Sequence, residues 1–138
     1  MRDVVLDASV VLKWFRGEGE RHVEAARALR AAFAAGELLV FAPPLLLLEI
    51  INVAGRRWNW KEPALVELTA SLDALAFELV EPELERVARW TARGLTAYDA
   101  AYVAVAEAAK VELITDDERI LAVAAGVATP LAGAGNAR

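Results

Sequence analysis

Cysteine is absent from these 138 residues, and histidine and methionine occur once each. The first absence excludes disulfide staples and thiolate metal sites, and a single His leaves zinc almost without its preferred ligands. Uninterrupted apolar runs long enough to span a bilayer are missing too. The greasy stretch from Leu38 to Ala54 is broken by Pro43, Pro44, Glu49 and Asn52. A strand pattern starts almost at once with no basic leader before it, so a cytoplasmic protein with no membrane partner is expected. Excess positive charge is also lacking. The net charge of −5 argues against indiscriminate nucleic-acid binding through a basic surface. Nuclease chemistry stays open, because carboxylates gathered around a cation are themselves negative.

What is present is apolar: 57% of the residues are hydrophobic, enough for one buried core in a chain of this length. One domain is expected over residues 1–131, followed by a loose tail over 132–138, with no internal repeat. Val4 to Leu6 is a short, continuously apolar run suited to a central parallel strand. Further strands are expected at Leu38 to Phe41, Phe77 to Val80, Val111 to Ile114 and Val127 to Thr129. Helical patterns fall between them, at His22 to Ala35, after Pro44, at Pro63 to Leu75, Leu84 to Arg93, Tyr98 to Ala109 and Ile120 to Ala125. Gly36 and Gly94 are natural helix stops, and Leu45, Leu48, Ile51 and Val53 are the expected packing face of the helix after Pro44. This alternation predicts an α/β fold, a three-layer α/β/α sandwich around a mostly parallel sheet.

Four short acidic signals stand out: Asp7 closing VVLD, Glu49 in LLLLEIIN, Asp99 in LTAYDAAY and Asp117 in LITDDERI. In a parallel α/β sheet, residues at strand ends and at the starts of following helices reach one edge. Each acid also has a local reading. Asp7 has the position of a helix cap, Thr96 with Asp99 and Thr115 with Glu118 have capping-box spacing, and Glu49 suits a solvated helix face. Taken together, four acids at one edge repel unless something compensates them, and magnesium or manganese is the simplest compensation. One ion would engage Asp7, Glu49, Asp99 and Asp117, and a second could be completed by substrate phosphate. Water activated there would attack phosphorus and leave a 5′-phosphate and a 3′-hydroxyl. Ser9, Asn52, Thr115 and Asp116 are candidate supports for the ligating carboxylates, and Arg56 and Arg119 candidate phosphate contacts.

These segments, VVLDASV, PPLLLLEIINV, GLTAYDAAYVAVAE and ELITDDERI, resemble the PIN-domain family, in particular the compact VapC-type toxins of prokaryotic toxin–antitoxin pairs. The resemblance spans nearly the whole chain and matches the family's four acids to Asp7, Glu49, Asp99 and Asp117. It implies a metal-dependent endoribonuclease, usually a homodimer, held inactive by a cognate antitoxin whose C-terminal segment enters the active-site groove. The alternative is a catalytically silent PIN-like module with a metal-binding, regulatory or dimerisation role. A haloacid-dehalogenase-like phosphatase fits less well, since Ser9 stands where its second Asp belongs. All four tryptophans, Trp14, Trp58, Trp60 and Trp90, are expected to pack in a small core or interface rather than to stack on bases, and Trp58 and Trp60, flanking Asn59, are the best interface candidates. His22 is expected to pack at a helix start.

Overall fold

Val4, Val5 and Leu6 have no solvent exposure, which demands a sheet partner on either side and a layer on either face. The computed structural model, which describes residues 1–134, supplies both. Strand β1 (Arg2–Leu6) sits at the middle of a five-stranded sheet of order β3-β2-β1-β4-β5. The others are β2 (Leu38–Ala42), β3 (Glu78–Leu79), β4 (Glu112–Thr115) and β5 (Ala128–Pro130). Every pairing is parallel, with Val4 opposite Val40 on one side and Glu112 on the other. "Mostly parallel" thus becomes wholly parallel.

Eight helices connect and cover the strands among the described residues: α1 (Ala8–Phe15), α2 (Val23–Ala34), α3 (Leu45–Arg56), α4 (Glu62–Leu75), α5 (Leu84–Ala92), α6 (Ala97–Ala109), α7 (Glu118–Val123) and α8 (Leu131–Ala134). The Ala-rich α6 lies across β1, β2 and β4, and its run from Ala100 to Ala106 is buried throughout. Small side chains let that helix approach the sheet closely. Helices α1, α2 and α8 pack on one another and on β2, β4 and β5, completing a PIN-like α/β/α sandwich. Gly36 and Gly94 both take positive φ, at 78° and 119°, just past α2 and α5, as helix stops require. None of the described helices is long and apolar enough to cross a membrane.

Three local expectations change. Helix α3 buries Leu46, Ile50 and Ala54, while Leu48 is 66% exposed. Six apolar residues in the seven positions from Leu45 to Ile51 leave Glu49 as the one polar marker of the helix phase, and Glu49 lines a cavity rather than facing bulk solvent, so the sheet beneath chose which leucines are buried. The Thr115–Glu118 capping box does not form, because Asp117 caps α7 by accepting from Ile120 N at 2.9 Å. Packed structure also runs past residue 131: α8 buries Leu131 and Ala134, whereas 135–138 of the expected tail lie outside the described residues.

Of the tryptophans only Trp90 is buried, the other three being partly buried against the core. Trp14 stacks in a cluster with Phe33 and Phe77, ring centres 5.2 to 6.0 Å apart, and donates its indole N–H to Ala26 O. Trp90 is buried and donates to Glu107. Trp58 and Trp60 lie 5.4 Å apart, partly buried against the core at the end of α3.

Candidate functional site

Strand β1 lies where the chain's path across the sheet reverses, with β2 to one side and β4 to the other. The crevice beyond the C-terminal ends of such strands is where open α/β sheets bind ligands. Asp7 follows β1 there and Asp117 follows β4 by two residues. Glu49, in the second turn of α3, and Asp99, in the first turn of α6, arrive from either side. All four line one cavity of about 740 Å³, together with Ser9, Asn52 and Tyr102.

Asp7 is only 4% exposed, and its side chain caps nothing; its main-chain carbonyl accepts from Val10 and Val11 instead. The carboxylate is held from both sides. Ser9 Oγ donates to Oδ1 at 2.7 Å and Thr115 Oγ1 to Oδ2 at 2.6 Å. Those hydroxyls are themselves oriented by main-chain N–H groups, Asp116 N donating to Ser9 and Asp117 N to Thr115. Burial still dominates and pushes the Asp7 carboxyl up to about 7, with the Asp117 charge adding to it.

Glu49 and Asp99 are raised in the same direction, chiefly by desolvation, and then by a neighbouring acid: Asp99 acts on Glu49, and Asp117 on Asp99. Tyr102, one helical turn beyond Asp99, donates its hydroxyl to Glu49 Oε1 at 2.5 Å. Desolvation and the surrounding acids hold that phenol well above its ordinary value, so it remains a donor. Asp99 also completes the cap expected of it, its N–H reaching Thr96 Oγ1 at 3.0 Å.

Among the described residues, none of the four acids enters an ion pair. Asp116 is the contrast. It turns from the cavity to Lys13 at 3.4 Å and to His22 Nδ1 at 2.9 Å, with Arg21 at 4.0 Å. Its side chain anchors the α1–α2 loop, and only its N–H supports the site. Asn52 is exposed at the cavity wall. Arg119 lies outside this cavity, yet its charge partly offsets the rise at Asp99. Arg56 is exposed and lines neither this cavity nor a neighbouring one of about 610 Å³, whereas Arg57 lines both.

Sequence reasoning passed over Tyr102 and Lys13, and counted Arg57 among the arginines that could contact phosphate without preferring it to Arg56. Tyr102 had a signal, since YDAAY places it on the face of Asp99. Lys13, 6% exposed within the apolar helix VVLKWF, had one too. Arg57 had none to separate it from Arg56.

The donor set is oxygen only, in desolvated and mutually repelling carboxylates that form no ion pair among the described residues, which suits a hard divalent cation. No three His, Cys, Asp or Glu side chains among the described residues converge into a ready-made metal cage. A cation that retains several waters and takes one or two carboxylates needs no such cage.

The sequence matches the PIN domain over residues 4–126. Among curated proteins none matches the chain. The fold is similar to the crystal structure of PAE2754 from Pyrobaculum aerophilum, at a TM-score of 0.65 and 24% identity over 94% of this chain and 90% of that one. At that identity the likeness speaks for the fold. The family match speaks for more, since PIN domains are generally nucleases that use divalent metal ions. With most of its length matched, this chain belongs to the PIN domain family.

Proposed function

We propose that the protein is a magnesium- or manganese-dependent endoribonuclease that hydrolyses phosphodiester bonds of single-stranded RNA, with Asp7, Glu49, Asp99 and Asp117 as its metal-binding and catalytic acids. One observation carries the reading: four carboxylates from separate elements line one cavity at the switch point of the sheet, and among the described residues none of them enters an ion pair. A divalent cation there supplies compensating charge, an acidified water and stabilisation of charge developing on the phosphate.

The chain's own residues do the positioning. Ser9 and Thr115 grip both oxygens of Asp7, so that carboxylate cannot rotate away. Tyr102 fixes Glu49 through Oε1 and leaves Oε2 without a protein partner among the described residues. Ile120 N holds Asp117 through Oδ1 in the same way. Asn52 offers an amide at the mouth of the cavity. Such fixation lowers the reorganisation needed when charge develops on the substrate.

The resemblance to VapC-type toxins extends the proposal to a toxin of the cytoplasm, inhibited by a cognate antitoxin and acting as a homodimer, with one PIN-like domain over 1–131 to which α8 adds packed residues through Ala134. A second reading, a catalytically silent regulatory or dimerisation module, is favoured by the lack of three converged ligands among the described residues. The test is incubation of the protein, free of any antitoxin, with labelled single-stranded RNA in magnesium, manganese or chelator, beside Asp7→Asn and Asp99→Asn. Internal cleavage that needs metal and disappears in both variants is expected. Folded wild type that cleaves nothing, or variants that cleave equally well, would overturn the assignment.

A further inference from the structure

The acidic cavity does not end at its own wall. It shares Ser9, Leu12, Val53, Arg57 and Asp117 with the adjoining cavity of about 610 Å³, a volume within the usual range for small-ligand sites. The second cavity is of different character. Three of its acids are already compensated, Glu20 and Asp116 by Lys13 at 3.0 and 3.4 Å and Glu118 by Arg21 at 3.7 Å. Arg57, the residue that caps the C-terminal end of α3, enters no ion pair among the described residues and lines both cavities. Arg119 faces the second cavity from α7, held by donation from Nη1 to Gly94 O at 3.1 Å. Trp58 adds an apolar wall.

Resting on the nuclease reading above, we infer that Arg57 and Arg119 form a clamp for a phosphate next to the one cleaved, and that the second cavity houses the flanking nucleotide of a single RNA strand. A strand crossing from the acidic cavity must carry its next phosphate past the boundary that Asp117 shares, where an unpaired anion needs a cation. Two arginines from separate elements meet that need. Arg56, one residue away but lining neither cavity, does not.

The experiment measures equilibrium binding of a labelled single-stranded RNA of about a dozen nucleotides in calcium, from 50 to 200 mM salt, where each phosphate contact contributes about 0.7 to the log–log salt slope. Wild type, Arg57→Gln, Arg119→Gln and Arg56→Gln are compared, with manganese affinity of each measured by calorimetry. Arg57→Gln and Arg119→Gln are each expected to weaken RNA binding about tenfold, as for loss of a charge-assisted hydrogen bond, and to lower the slope by about 0.7. Manganese affinity stays within twofold in Arg57→Gln and is not weakened in Arg119→Gln, which removes a positive charge felt by Asp99, while Arg56→Gln leaves both slope and affinity near wild type. Wild type that binds RNA while Arg57→Gln keeps its slope, or loses no more than Arg56→Gln, overturns the clamp alone. Wild type that binds manganese but no RNA overturns the nuclease reading and the clamp with it.

Discussion

Asp7→Asn in the metal-free protein tests whether the site is built against its own charge. Burial raises the Asp7 carboxyl from 3.8 to about 7, so between those values the folded state holds a proton that the unfolded chain has released. Stability therefore falls as pH rises through that window and levels off above it. The displacement corresponds to about 4 kcal/mol of penalty at pH 8, at about 1.4 kcal/mol per pH unit. Asparagine removes the penalty but offers one acceptor where the carboxylate offered two to Ser9 and Thr115. One hydroxyl must turn to accept from the amide, at a cost of about 1–2 kcal/mol. The net expectation is a gain of about 2 kcal/mol at pH 8, or about 8 °C in Tm at roughly 4 °C per kcal/mol. At pH 5 only about the first 1.2 pH units above the unfolded value have been crossed, so the penalty is about 1.6 kcal/mol, it is offset by the lost acceptor, and the two proteins become about equally stable. Thermal unfolding in chelator from pH 5 to pH 8 reads the difference directly. Other titrating groups are common to both proteins and cancel. A variant less stable by the same amount at every pH would refute the reasoning, because Asp7 would then pay nothing for its charge.

Further outcomes follow from the same geometry. Magnesium at about 100 times its dissociation constant should stabilise wild type by about 2.7 kcal/mol, seen as a Tm rise that chelator reverses and that Asp99→Asn lacks. Tyr102→Phe removes the donor to Glu49 inside the core and should cost about 1–3 kcal/mol of stability while weakening manganese binding by calorimetry, with the circular dichroism spectrum unchanged. Leu46→Ala should cost about 2–5 kcal/mol in urea unfolding and Leu48→Ala less than about 0.5 kcal/mol, since only Leu46 is buried.

The order of the five strands and of α2 to α7 was readable from local pattern because strand and helix periods depend on neighbouring residues, whereas α1 and α8 were not among the expected helices. So was the chemistry of the donor set: no cysteine, one histidine and four acids beside strand ends leave only oxygen ligands. The Thr96 cap on α6 was likewise local, spanning three residues. The phase of α3 was not readable, because leucines and isoleucines surround Glu49 in LLLLEII, Glu49 itself lines a cavity, and the sheet beneath decides which leucines are buried. Nor was the division of labour in TDDER, where Asp117 lines the cavity and Asp116 turns to Lys13 and His22, residues about a hundred positions away. Tyr102 meets Glu49 across 53 residues, and Thr115 meets Asp7 across 108. Residue type and short-range spacing thus determined which elements form and which chemistry is available. Which side chain faces the cavity was decided only when distant segments packed, because a side chain's partners are set by the fold around it.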